Sequence, residues 1–215
     1  KELSASVPKW PLEKTVGRTD DLKDLHERLS QRKQVLLVNG MGGIGKTTLA
    51  QVYVNEYEAE YEHIVWITNL GDDVMSSFVQ TAGLMHRLRI KADGKKLEEL
   101  FMEIIMALKE LPETCLMVID NANASLNKWK DYLPTQPQWH ILVTAREKLP
   151  FFDIKELGFL EADDALKLFK MHYKKTRLND EQIKEVLKKI DFHTLTIEIL
   201  AKTAQMEDLD KDELL

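Results

Sequence analysis

Short unbroken apolar runs, separated by longer stretches of helical period, organise this chain. Val35-Leu36-Leu37-Val38, Ile64-Val65-Trp66-Ile67, Cys115 to Ile119 and Ile141-Leu142-Val143 are continuous rather than alternating. That is the pattern of strands buried on both faces. Phe152 to Leu157 reads as a weaker fifth strand. Thr19 is placed to cap a first helix, in which Leu22, Leu25, His26 and Leu29 recur at helical spacing. Further helices are expected from about Lys46 to Tyr57, near 73–88 and over 96–110. The last carries Leu97, Leu100, Phe101, Ile104, Ile105 and Leu108 on one face. Strands alternating with helices argue for an α/β fold, a parallel sheet covered on both sides.

From Glu161 onward the pattern changes to helices alone. Their apolar stripes are Ala162/Ala165/Leu166/Phe169/Tyr173, Ile183/Val186/Leu187/Ile190 and Ile197/Leu200/Ala201/Ala204. Asn179 followed by Gln182 looks like a capping box opening the second of them. The expected organisation is a linker over 1–16, a sheet domain over 17–158, a helical domain over 159–206 and an acidic end over 207–215.

Composition narrows the classes of function. The chain has 215 residues, with 30 Lys and Arg against 36 Asp and Glu, a net charge of −6. A general grip on nucleic acid or on an anionic membrane wants the opposite sign. Eight basic residues against three acidic between Leu166 and Ile190 make a local exception, expected to be a solvated helical face. The one cysteine, Cys115, cannot close an intrachain disulfide and suits a reducing compartment, so a cytoplasmic location is expected. Apolar runs fall well short of the ~18 residues that span a bilayer. The chain begins with Lys1 and stops abruptly after an acidic stretch, and it reads as part of something longer.

Candidate chemistry concentrates after the first strand. Gly40-Met41-Gly42-Gly43-Ile44-Gly45-Lys46-Thr47 fits G-x-x-x-x-G-K-[ST]. Glycines let backbone amides curl around a phosphate, Lys46 places a cation on its outer oxygens, and Thr47 offers a hydroxyl to Mg²⁺. The following helix points its positive end at the same anion. Asp120 ends an apolar strand, where a carboxylate would complete a Mg²⁺ site. Arg146 ends the next strand and could sense a terminal phosphate. The histidines at 26, 63, 86, 140, 172 and 193 show no H-E-x-x-H pairing, so a metal-hydrolase site is rejected.

These residues resemble the NB-ARC branch of the STAND nucleotide switches. Gly40 to Ala50 is close to that family's form of the phosphate loop, and Val16-Gly17-Arg18 is similar to its V-G-R element. Ile141 to Arg146 resembles its strand ending in T-T-R, and Leu157 to Phe169 its L-x-x-L-x-x-x-E-A-x-x-L-F segment. His193-Thr194-Leu195-Thr196-Ile197-Glu198 is similar to its G-L-P-L or H-P-L-A motif. The resemblance implies a P-loop NTPase of the ASCE type, a five-stranded parallel sheet of order 2-3-1-4-5 followed by a small helical domain. It implies ATP or ADP with Mg²⁺, slow hydrolysis, and a role as a signal-transduction switch that joins other domains and self-associates when active. Val16, Arg18, Met41, Gly42, Gly43, Ile44, Gly45, Lys46, Thr47, Thr48, Thr194 and Leu195 are the implied nucleotide contacts. Lys46, Asp120, Asn121 and Arg146 are the implied catalytic set, with Thr47 and Asp120 on the metal. Three departures stand out. Asn121 replaces the second acid after the strand, and an amide cannot take a proton, though it can orient water. Thr194 replaces the motif proline. Ala145 replaces the second threonine before the arginine. A non-hydrolysing nucleotide-bound scaffold is the alternative, and a small-molecule P-loop kinase a further one.

Overall fold

The computed structural model describes residues 1–31, 35–150, 152–207 and 211–214. The sheet domain runs α1 (Thr19–Ser30), β1 (Val35–Asn39), α2 (Lys46–Tyr57), β2 (His63–Thr68), α3 (Val74–Gln80), α4 (Leu84–Arg87), α5 (Leu97–Lys109), β3 (Cys115–Ala122), α6 (Leu126–Trp129), β4 (Trp139–Ala145) and β5 (Asp153–Glu156). All strand pairs are parallel. Alternate residues of the apolar runs face opposite layers, as the pleat requires. Leu37, Val65, Met117 and Val143 pack under α3, α5 and α6 with Phe78, Phe101 and Ile104. Leu36, Trp66, Val118 and Leu142 pack under α1 and α2 with Leu25, Leu49 and Tyr53.

The five-stranded parallel P-loop fold is as expected, but the strand order departs from 2-3-1-4-5 in one step. The observed order is β2-β3-β4-β1-β5, with β4 between β3 and β1. Alternation along a chain fixes that strands are parallel, not which lie side by side. Burial decides the order here. Ile141, Leu142 and Val143 are wholly buried and take a central place, while Asp-Ile-Lys-Glu in β5 pairs only with β1, at the edge.

Three local expectations change. Thr19 does not cap α1: the first helical bond, from the Leu22 amide, is accepted by the Arg18 carbonyl, so Thr19 already lies in the first turn. The helix expected over 73–88 is broken into α3 and α4: α3 ends where Thr81 turns extended, and Gly83, with a φ of +80°, stands just before α4 opens. The segment read as a linker is partly ordered against the sheet. The Leu3 amide donates to the Ile64 carbonyl, Ser4 exchanges hydrogen bonds with the Trp66 backbone, and Leu3 and Val7 are buried. This covers the open edge of β2, which would otherwise offer unpaired backbone.

The helical domain is α7 (Ala162–His172), α8 (Asp180–Lys189) and α9 (Thr194–Glu207) around Phe169, Tyr173, Ile183, Leu187, Ile197 and Ala201. Both halves of the capping box at Asn179 and Gln182 form. Within the basic stretch, Lys167, Lys170 and Lys184 pair with Asp164, Asp180 and Asp163. The acidic end lies partly outside the described residues. No helix among the described residues is long and apolar enough to cross a membrane.

Candidate functional site: a cleft between the phosphate loop and α9

The loop between β1 and α2 turns on Gly43 (φ +75°) and Gly45 (φ +104°), positions that side chains rarely tolerate. Gly45 stands at the start of α2, so the free amides of that helix face the loop's interior. Lys46 is folded back over the loop and donates to the carbonyls of Gly40 and Met41, each at 2.7 Å. Burial, and then the nearby Arg146 guanidinium, pull its pKa below the ordinary lysine value, against a smaller opposing pull from Asp120.

Two strand tips complete this wall. The Thr47 hydroxyl donates to Asp120 Oδ1 at 2.8 Å, and the Thr144 hydroxyl donates to the same oxygen at 2.6 Å. Thr144 in turn accepts from the Asn121 amide at 2.9 Å. Asn121 sits on a register shift in β3 with φ +59°, and its side chain donates to the Asn69 carbonyl at 3.0 Å. Asn69 answers through its own side-chain amide to the Asn121 carbonyl, and Ser77 holds the Asn69 side chain. The Asn39 side chain holds the Arg146 carbonyl at 3.0 Å, and a methyl group on Gly42 would touch the Arg146 guanidinium at 3.5 Å.

The opposite wall is the start of α9. His193 Nε2 donates to the Gly42 carbonyl at 2.8 Å, the Leu195 amide to the Gly43 carbonyl at 3.1 Å, and the Thr194 hydroxyl to the Ile44 carbonyl at 3.2 Å. Three successive loop carbonyls are thus taken by three successive residues. Because a carbonyl only accepts, His193 carries its proton on Nε2. Its Nδ1 then accepts from the Thr196 hydroxyl at 2.9 Å. A side chain at Gly43 would meet Leu195 Cβ at 2.9 Å, so the approach itself requires glycine.

A cavity of about 350 Å³ lies between the walls. Of the residues expected there, Gly42, Gly43, Gly45, Lys46, Thr47, Thr48, Asn121, Arg146, Thr194 and Leu195 line it. Val16, Arg18 and Ile44 line a smaller adjoining cavity instead. Arg18 is nearly buried, and its guanidinium is committed to the Ile44 and Gly158 carbonyls and to Asp21. It ties the loop to Gly158, the last residue before the helical domain. Met41 stands exposed and lines neither cavity, bordering instead a third one with Gly40, Arg146 and Phe159. Sequence reasoning missed three participants. Thr144 was visible inside the T-A-R strand end, and His193 as the first residue of its motif. Glu198, which lines both cavities, closes the same segment but matches no letter of the motif.

No cluster of three or more His, Cys, Asp or Glu side chains able to hold a metal occurs among the described residues. A hydroxyl and one carboxylate, Thr47 and Asp120, fit the sparse oxygen set that Mg²⁺ takes alongside phosphates. Cys115 is buried in β3 with its thiol pushed up to about 12 by desolvation, so it is no nucleophile.

Several solved structures share this fold. The ORC2 protein of Aeropyrum pernix, solved as ADPNP-ADP complexes, superposes with a TM-score of 0.62 at 13% identity, over 99% of this chain and 69% of that one. The ORC1 protein of the same organism, in complex with DNA, gives 0.59 at 12%, over 92% and 62%. The CDC6P protein of Pyrobaculum aerophilum gives 0.63 at 12%, over 96% and 66%. At such identities the likeness is one of fold, and the chain spans about two thirds of their length. The NB-ARC domain family model matches residues 18–179, which include the whole phosphate loop, Asp120 and Arg146. The chain belongs to the NB-ARC family and is a nucleotide-binding module of the P-loop ATPase type.

Proposed function

We propose that this chain is an ATP/ADP-gated switch, with nucleotide held between the sheet domain (17–158) and the helical domain (159–206) and hydrolysed slowly with Mg²⁺. The contact of His193, Thr194 and Leu195 with the Gly42, Gly43 and Ile44 carbonyls carries the reading. A ligand in this cleft touches both domains, and it shifts their equilibrium by its differential affinity for their arrangements.

The roles follow from the side chains. Lys46 gives up two neutral carbonyls for charged phosphate oxygens, which are stronger acceptors. Arg146 supplies a second cation beside Gly42, suited to a terminal phosphate that only ATP carries. Thr47 and Asp120 hold Mg²⁺, which when bound neutralises charge on the phosphate oxygens. Thr144 keeps Asp120 aimed by its 2.6 Å bond. Asn121 stands where a proton acceptor would, and its amide is tied to the Asn69 backbone. Water there can be oriented but not deprotonated by this residue, so turnover is slow. Other domains of a longer chain, and self-association on activation in the cytoplasm, are the partners this reading implies.

Nucleotide titration of the wild type against Lys46→Ala tests it. ATP and ADP are expected to bind the wild type, with at least about a hundredfold loss in the variant. Negligible binding of both by the wild type overturns the reading. The pinned Asn121 amide favours a second reading, a nucleotide-bound scaffold that does not hydrolyse. Single-turnover phosphate release that vanishes in Asp120→Ala and rises in Asn121→Asp supports the ATPase; no release at all supports the scaffold.

A further inference from the structure

We infer that Glu198 reads the ribose hydroxyls of the bound nucleotide and gives the site a preference for ribonucleotides over deoxyribonucleotides. The inference rests on the nucleotide reading above. Two cavities meet along α9: the one over the phosphate loop, and a second of about 240 Å³ bounded by Val16, Gln51 and Leu168. Gly45, Thr48, Thr194 and Glu198 line both, and so mark the junction. A nucleotide with its phosphates on the loop and its base in the second cavity must thread its sugar through that junction, because the sugar joins the two.

Glu198 is the ionisable group among those four residues. An ionised carboxylate accepts hydrogen bonds and donates none, so it repels phosphate oxygens but suits two neighbouring hydroxyls. The Thr194 hydroxyl is already spent on the Ile44 carbonyl. Lys202, one turn further along α9, holds the Glu198 carboxylate at 3.4 Å and narrows its choice of rotamer. The carboxylate is only partly covered, with 34% of its side chain exposed, so its discrimination falls well short of that of a sealed site.

The test is calorimetric titration of the chain with ADP, 2′-deoxy-ADP and 3′-deoxy-ADP in the presence of Mg²⁺; diphosphates keep hydrolysis out of the measurement. The wild type is expected to bind each deoxy analogue about tenfold more weakly than ADP. In Glu198→Ala the three affinities should converge to within about twofold, with ADP falling to the level of the analogues. Glu198→Gln keeps one acceptor oxygen and the shape of the side chain, and should discriminate to an intermediate degree. Equal binding of the three by the wild type overturns the inference, as does a ratio that survives in Glu198→Ala. Tighter binding of all three by Glu198→Ala, with the ratio unchanged, assigns the carboxylate to phosphate repulsion and also overturns it. Binding of none of them by the wild type overturns the nucleotide reading itself, and so tells the two failures apart.

Discussion

The wall of the cleft formed by β1, β3 and β4 and the wall formed by the start of α9 are held by different forces. Behind Asp120 and Thr144 stand Leu116, Val118, Ile141 and Leu142, all wholly buried between two layers of helices. The polar tips are fixed because the strands that carry them are fixed. Behind Thr194 and Leu195 lies a separate core, around Phe169 and Ile197, to which the sheet side contributes Val16 at its margin. At the cleft that core meets the sheet domain through hydrogen bonds to backbone carbonyls, each worth about 1 kcal/mol net. One wall is anchored by desolvated apolar area, the other by a few polar contacts that water can replace. Motion in this protein should therefore belong to the second wall.

Four measurements break or sharpen that contrast. Leu142→Ala should have the largest effect, about 2–5 kcal/mol by urea denaturation, since the site is wholly buried and cannot easily collapse. A loss below about 0.5 kcal/mol would deny the sheet wall its rigidity. Gly43→Ala adds a methyl group 2.9 Å from Leu195 Cβ at a φ of +75°. It should cost about 1–3 kcal/mol and speed hydrogen exchange at the α9 amides more than at those of β3. Equal acceleration at both would make the walls one cooperative unit. His193→Ala removes the bond to Gly42 together with the one to Thr196 and should cost about 1–2 kcal/mol, seen as faster proteolysis near 190–194 with an unchanged sheet.

The smallest effect is one of pH and belongs to the far end of the sheet wall. Burial holds the His140 pKa below its ordinary 6.5, outweighing an upward pull from Glu60, while His26 adds a smaller downward one. The neutral ring interacts with the Tyr61 hydroxyl at 2.8 Å. A lowered folded-state value means the unfolded chain takes up the proton first. The stabilisation is thus present above pH 6.5 and declines as pH falls through the folded-state value. Urea midpoints at about pH 7.5 and 5.5 should show a fall that is smaller in His140→Gln.

How much of this could be read from the residues depends on how local each feature is. The phosphate loop was legible because its chemistry is written in eight neighbours, Gly40 to Thr47. Asp120 was legible from the apolar run before it. The strand order was not, because the place of β4 beside β3 is decided by lateral burial rather than by chain sequence. The commitment of Arg18 to the Ile44 and Gly158 carbonyls was hidden for a similar reason, since its partners lie 26 and 140 residues away. Glu198 looks in the sequence like any charged residue on a helix; only the meeting of two cavities beside it sets it apart. The covering of the β2 edge by Leu3 and Ser4 left no mark in a stretch without period.

The three carbonyls taken by α9 have a mechanical consequence. In a planar trans peptide the C=O and the following N–H point in opposite directions. With the oxygens of Gly42, Gly43 and Ile44 turned toward α9, the amide hydrogens of Gly43, Ile44 and Gly45 are turned the other way. The same three plates are pulled from one side by a helix and offer donors on the other. Tilting a plate to improve its contact on one side would slacken it on the other, so the His193 and Thr194 side chains and the Leu195 amide bear directly on the donors the loop can offer.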